Sequence, residues 1–223
     1  MGIIKEKIAF FDFCDTLVPF QSADAYVKYV IKHCGLKKVR IRRILYLLLQ
    51  KFNLLNLFLK LTRMTHKELF LLQIKGVSYV VMDEMAKRFY KEYIADNLIE
   101  KTYNELKKLQ QEGYRIVLVS GGYDLYLHYF AVNNNVKDMD VVATNLLFKN
   151  GVFTGKMDDD CMNENKVTRL ERLFDKNKIC SIAYSDSLSD LPLLRWVDEA
   201  YLVIPSSEKN KMKTQYNFKI FYI

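Results

Sequence analysis

The sequence predicts an α/β protein, a parallel sheet with an all-helical block inserted near its beginning. Short apolar or β-branched runs at residues 7–11, 114–119 and 178–184 alternate with helix-patterned segments, the arrangement that produces parallel sheets. Between about Gly35 and Leu98 the pattern stays helical: apolar residues recur every three or four positions, proline is absent, and glycine occurs only at Gly35 and Gly76. The first run is also nearly continuous in apolar residues, as a buried parallel strand requires, and stops abruptly at Asp12. In open α/β sheets ligands bind beyond such strand ends, so Asp12 stands where chemistry can occur.

The elements follow in order. After the first strand, Ser22 is expected to cap a helix through Ala25, Tyr29 and Val30 that ends near Gly35. Residues 98–112 form an amphipathic helix stopped by Gly113, and strand 114–119 leads into Ser120-Gly121-Gly122. A helix over 123–133 precedes a strand at 140–144. Residues 147–154 read as a hairpin, because Asn150-Gly151 suits a type I′ turn. Helix 165–174, strand 178–184 and helix 188–196 follow, the last with Pro192 in its first turn. Strand 200–204 is expected to close the series. The predicted division is a core of 1–17 and 98–223 with a helical cap of 18–97.

At 223 residues, 50% hydrophobic and 27% charged, the chain is an ordinary globular protein rather than a disordered one. Its net charge of +8 admits an anionic partner: a phosphorylated small molecule, nucleic acid or an acidic membrane. Nucleic acid is not the expected partner, since no binding motif accompanies the charge. The excess is concentrated in the basic segments 37–43 and 209–213, read first as solvated surface. Cys14, Cys34, Cys161 and Cys180 show neither C-x-x-C nor zinc spacing, and no signal peptide is visible, so a reduced, cytoplasmic protein is expected. Residues 44–61 approach a membrane segment, but Gln50, Lys51, Asn53, Asn56 and Lys60 interrupt them. A core or cap helix pair is the expected reading; interfacial membrane contact, aided by the basic cluster, is the alternative.

Four places carry polar groups that parallel strands would gather on one sheet edge: Asp12, Ser120, Lys166, and the run Ser185-Asp186-Ser187-Leu188-Ser189-Asp190. Clustered carboxylates with an open face suit Mg²⁺. A lysine and a Ser-Gly-Gly turn supply positive charge, a hydroxyl and backbone N–H groups for a phosphoryl group. A carboxylate among them can serve as nucleophile. Each element alone is weak; their ordered combination is much more specific.

In these residues the chain resembles the haloacid-dehalogenase (HAD) superfamily, closest to its phosphoserine-phosphatase-like branch. Phe11-Asp12-Phe13-Cys14-Asp15-Thr16-Leu17, Val119-Ser120-Gly121-Gly122, Asn165-Lys166 and Tyr184-Ser185-Asp186 through Asp190 match in order. The resemblance implies a three-layer, Rossmann-like core and Mg²⁺-dependent hydrolysis of a small phosphorylated metabolite. It assigns Asp12 as nucleophile, Ser120 and the Gly121 amide to the phosphoryl oxygens, and Lys166 to charge neutralisation. Asp12, Asp186 and the backbone carbonyl of Cys14 would hold the metal, with Asp190 supporting the site through Lys166 or a water, and Asp15 and Thr16 nearby.

The match departs at Cys14, where family phosphatases usually carry the aspartate that protonates the leaving group and activates water. A thiol is a poor general base at neutral pH, and loss of this acid/base group predicts turnover slower by about 10²–10⁴-fold. Asp15, at a position often occupied by glycine, is a candidate substitute. Gln21 replaces a substrate-binding glutamate and residues 66–75 contain no arginine, so phosphoserine is disfavoured. Phe20, Tyr26 and Tyr123 are read as core before pocket, and His33, His66 and His128 as structural or surface residues. A Mg²⁺-dependent phosphatase leads. A catalytically weak or inactive module binding a phosphorylated ligand, and a membrane-proximal lipid-phosphate phosphatase, are the alternatives.

Overall fold

The computed structural model describes residues 5–134, 136–208 and 218–223. Seven strands, β1 (Glu6–Phe11), β2 (Arg115–Tyr123), β3 (Asp140–Lys149), β4 (Val152–Asp159), β5 (Ile179–Ser185), β6 (Glu199–Ile204) and β7 (Lys219–Tyr222), pair in the order β4-β3-β2-β1-β5-β6-β7. Every neighbouring pair is parallel except β3 and β4. With β1 flanked by β2 and β5, the chain leaves β1 toward one side of the sheet and later returns to the other. The C-terminal ends of these three strands therefore meet at a switch point.

Successive β1 side chains point to opposite faces, and each face finds its own core. Ala9 and Phe11 join the larger cluster with Phe13, Tyr26, Tyr123 and Phe130, whereas Ile8 and Phe10 join the smaller with Val117, Leu170 and Leu193. Phe11 stacks on Tyr184 at 4.7 Å and Phe13 meets Phe130 edge-on at 5.2 Å. On the smaller side Phe10 meets Trp196 edge-on at 5.8 Å. Phe11 and Phe13 are wholly buried, so they brace Asp12 between them; truncating either to alanine would cost about 3–5 kcal/mol.

The helices are α1 (Ser22–His33), α2 (Lys37–Lys51), α3 (Leu55–Thr62), α4 (His66–Leu72), α5 (Tyr79–Phe89), α6 (Glu100–Gln111), α7 (Asp124–Asn133), α8 (Glu164–Glu171) and α9 (Leu191–Trp196). A π turn, Tyr90–Ile94, extends α5. Thr65 and Glu68 form a reciprocal capping box on α4, and the Ser78 side chain caps α5 by accepting from the Val81 amide. The helical block is stitched to the β3–β4 hairpin: Gly76 N–H donates to Phe153 O at 2.8 Å, and Phe153 N–H to Val77 O at 2.9 Å. Gly155 (φ +86°) sits where a Cβ would run into Leu72 of α4, at 2.9 Å.

Several expectations are corrected. Gln21, not Ser22, occupies the cap position of α1, and Ser22 turns inward to other partners. β2 continues through Ser120-Gly121-Gly122 to Tyr123 instead of turning there, so α7 starts at Asp124. The pieces expected at 140–144 and 147–149 are one strand, which turns at Asn150 (φ +50°) and Gly151 (φ +71°), as a type I′ turn demands. β6 is not the last strand, because β7 adds to its edge. Of the core and cap readings of the α2–α3 pair, core fails: Val39 and Leu59 are the buried residues of these helices, while Leu45 and Leu61 are 55% and 75% exposed. The basic residues Lys209, Lys211 and Lys213 lie outside the described residues.

Candidate active site

The ends of β1, β2 and β5 open into a cavity of about 690 Å³. Asp12, Ser120, Gly121, Lys166, Asp186 and Asp190 all line it, together with Cys14. At its floor the Lys166 ammonium donates to Asp12 Oδ1 at 2.7 Å and to Asp190 Oδ2 at 2.6 Å. These three groups are only 6%, 3% and 3% exposed for Asp12, Lys166 and Asp190. Ser185 Oγ donates to the same Asp190 oxygen at 2.7 Å, which fixes the carboxylate from behind.

Burial lowers the proton affinity of Lys166, but the charges of Asp12 and Asp190 outweigh it and hold the ammonium well above its ordinary range. Burial pushes the Asp12 carboxyl up, against the pull of Lys166, with Asp190 and Asp186 adding to the rise. Asp186 is pushed up to about 6, by burial first and then by the neighbouring Asp15 charge. At the strand ends a single ammonium, Lys166, thus stands among the carboxylates of Asp12, Asp186 and Asp190, an arrangement that leaves room there for another positive charge.

Whether Mg²⁺ fits can be judged from the donors. Among the described residues no group of three or more His, Cys, Asp or Glu side chains forms a metal cage. Mg²⁺ seldom uses one; it binds through one or two carboxylates, waters and substrate phosphate. Asp12 Oδ2 and Asp186 Oδ2 accept no hydrogen bond among the described residues, and both carboxylates face the same cavity. The donor set fits.

Thr16 is buried, donates to Asp186 Oδ1 at 3.3 Å and accepts from the Asp186 amide at 3.0 Å, so it ties the β1 loop to the β5 loop. Asp15 is not drawn into the cavity lining. It adopts a left-handed conformation (φ +53°), one that glycine enters most readily, and its Oδ2 accepts from Gln21 Nε2 at 2.6 Å. Gln21 does reach the cavity, with its amide nitrogen engaged by Asp15.

Cys14 does line the cavity. Its sulfur accepts from the Ser22 amide at 3.3 Å and lies 3.1 Å from Ser22 Oγ, which in turn is 2.7 Å from Tyr126 Oη. Burial, then the Asp12 charge, pushes the thiol up to about 11, so it is neutral throughout the physiological range. Gly122 is required for this chain of groups: a Cβ there would overlap the Tyr126 hydroxyl. Ser120 Oγ, also at the cavity, accepts from the Gly122 amide at 3.0 Å.

The helical block supplies residues that the sequence did not single out. Lys28, Arg43, Tyr46, Gln50 and Lys67 line the cavity, as does His66, read above as structural or surface. Lys67 donates to Gly121 O at 2.9 Å and pairs with Asp160 at 3.1 Å, bringing α4 onto the end of β2. Arg43 belongs to the basic segment read as solvated surface, but it donates to Gln73 Oε1 at 3.2 Å beside the cavity. A polar stripe at positions 43, 46 and 50 was the available signal for α2, since i, i+3 and i+7 share a helix face. No comparable signal marks Lys67. Tyr26 and Tyr123 are core residues, and Phe20 lines a separate groove of about 360 Å³.

The profile of the haloacid dehalogenase-like hydrolase family matches residues 9–195, and the chain belongs to that family. Its activity class is accordingly that of a hydrolase. Among solved structures, a protein of unknown function from Bordetella pertussis Tohama I superposes with a TM-score of 0.76 at 20% identity, covering 97% of this chain and 98% of that one. Phosphoserine phosphatase in its apo form superposes at 0.58 with 19% identity, covering 89% and 86%. A phosphoserine phosphohydrolase-like protein from Francisella tularensis gives 0.56 at 16% identity, covering 89% and 87%. At these identities the superpositions establish the shared fold. No curated protein sequence matches the chain.

Proposed function

We propose that the chain is a Mg²⁺-dependent phosphomonoester hydrolase that forms an aspartyl-phosphate on Asp12. The observation that carries this reading is the buried Asp12–Lys166–Asp190 cluster at the floor of a cavity shared with Asp186 and Ser120. Asp12 and Asp186, with the Cys14 backbone carbonyl, would hold Mg²⁺, which supplies electrophilic stabilisation of phosphoryl oxygens.

Asp12 attacks phosphorus as the bond to the leaving oxygen breaks. Lys166, held protonated and hydrogen-bonded to Asp12, offsets the negative charge gathered at the floor. Ser120 Oγ and the Gly121 amide receive the phosphoryl oxygens. The Cys14 thiol would give its proton to the departing oxygen, with Ser22 Oγ at 3.1 Å steadying the sulfur. In the second step water attacks phosphorus, the bond to Asp12 breaks, and the water proton returns to sulfur. A thiol raised to about 11 is a weak acid for the first task, so turnover is slow and best with activated leaving groups.

The cavity suits a small phosphorylated metabolite, and Lys28, Arg43 and Lys67 favour an anionic one. Purified protein should release phosphate from a panel of phosphomonoesters only when Mg²⁺ is present, and Asp12→Asn should abolish the release. Full activity in that variant would remove Asp12 from the mechanism.

Cys14 itself favours a second reading, a phosphoryl-binding module with little or no turnover. Calorimetric binding of inorganic phosphate, together with no turnover in either wild type or Cys14→Asp, would favour it over the phosphatase.

A further inference from the structure

α2 is built inside out. Its inner face carries Arg43, Tyr46 and Gln50 at the cavity wall. Its outer face carries Ile41, Ile44, Leu45, Leu48 and Phe52, at i, i+3, i+4, i+7 and i+11, and these are 57%, 57%, 55%, 43% and 62% exposed. α3 continues the apolar surface with Leu57 and Leu61. Scattered exposed leucines need no explanation, but a contiguous stripe over two helices marks an interaction surface.

The charge around this surface has one sign. Between Asp24 and Glu68 there are eleven lysines and arginines and no aspartate or glutamate. Lys37, Lys38, Arg40, Lys51, Lys60 and Arg63 are exposed and pair with no carboxylate among the described residues. Beside them α2, α3 and α4 enclose an apolar groove of about 370 Å³, lined by Leu45, Leu48, Leu49, Phe58 and Leu69.

We propose that the outer face of α2, with α3, docks on an anionic lipid bilayer. Aliphatic side chains flanked by long, exposed cations match the boundary between acyl chains and acidic headgroups, where lysine stems lie along the apolar zone and their ammonium groups reach the phosphates. A protein partner would ordinarily be met by buried aromatic or arginine anchors at the patch centre, and here the centre is isoleucine and leucine. The pair lies on the surface and does not cross it. No single helix among the described residues is long and apolar enough to span a membrane; α2 and α3 reach that length and composition only together, and a bend of 112° at their junction favours lying along the surface. The inner face of α2 walls the cavity, so docking brings the cavity close to the leaflet. The inference is independent of the chemistry at Asp12.

Flotation of the full chain with vesicles tests it. Phosphatidylcholine vesicles containing phosphatidylglycerol should retain about tenfold more protein than pure phosphatidylcholine at low salt, with the excess lost at high salt. Two combined variants, Leu45→Ser/Leu48→Ser/Phe52→Ser and Lys37→Glu/Lys38→Glu/Arg40→Glu, should each lose the excess while keeping wild-type circular dichroism. Equal or absent retention on the two vesicle types at low salt overturns the proposal, as does binding that neither variant changes. A dimer that the serine variant dissolves, without vesicle binding, also overturns it and assigns the face to a second copy of the chain.

Discussion

Where β1 and β5 end, the chain buries charge; along α2 it exposes leucine. Both arrangements run against the bulk tendency of side chains, yet they differ in how they are compensated. At the strand ends Lys166 meets Asp12 and Asp190 at 2.7 and 2.6 Å, and Ser185 holds Asp190 from the other side, so the buried ions have partners within the fold. On α2 the aliphatic stripe stays largely uncovered among the described residues. The first inversion is met by an ion pair inside the chain. The second is the one that the proposed lipid contact would cover.

The largest way to break this comparison is at Asp12. Asp12→Asn should leave no measurable phosphate release while the protein stays folded, a result read by phosphate assay and circular dichroism together. Next comes the lysine. Lys166→Met leaves two carboxylates buried without their cation, and should lower unfolding free energy by about 3–5 kcal/mol in urea titrations. A loss below about 1 kcal/mol would mean that the pair contributes little to stability and that the carboxylates simply protonate.

Cys14→Asp should raise turnover by about 10²-fold, measured beside wild type on the same substrate. No gain would show that something other than the missing acid limits the rate. The crowded carboxylates also predict a pH signature. Asp186 rises from 3.8 to about 6 on folding, so across that window the folded state binds more protons than the unfolded one. Stability of the metal-free protein should therefore fall as pH climbs through the window. Mg²⁺, by holding the charged carboxylate, should flatten that fall, and melting curves with and without chelator would measure it. The smallest effect belongs to α2: Leu45→Ser and Leu48→Ser should cost about 1 kcal/mol each, because roughly half of each side chain stays in water on folding. A large loss there would mean the stripe is covered in the monomer after all.

The strand-end groups were legible because β-strand geometry does much of the placing. A parallel sheet brings the ends of β1, β2 and β5 to one edge whatever fills the rest of the chain, so Asp12, Ser120 and Asp186 could be brought together from spacing alone. The continuation of β2 through Gly121 and Gly122 was not legible, since glycines usually signal a turn. Here the strand runs on past an irregularity in its pairing between Ser120 and Tyr123, and Cβ atoms at the two glycines would run into Met162, from a distant segment, and Tyr126, in the first turn of α7. β7 was missed because residues 219–222 form a strand only by pairing with the edge of β6. Lys67 was missed for a similar reason: its distance of 2.9 Å to Gly121 O depends on how α4 folds back, which local sequence does not encode. The polar stripe on α2 was present in the sequence, but Arg43 belongs to a basic run that reads as solvated surface.

Trp196 gives the molecule a reporter of its own. It is the sole tryptophan, and it sits against Phe10 on the sheet face remote from the larger cluster. Indole emission will follow the integrity of β1 and its neighbours and stay blind to the helical block, whose ultraviolet signal comes from tyrosine and phenylalanine. Parallel recording of the two signals during denaturation would reveal whether the block loosens before the sheet. Lipid contact at α2 should leave the indole spectrum unmoved, so any shift on vesicle addition would betray a rearrangement reaching through to the floor of the site.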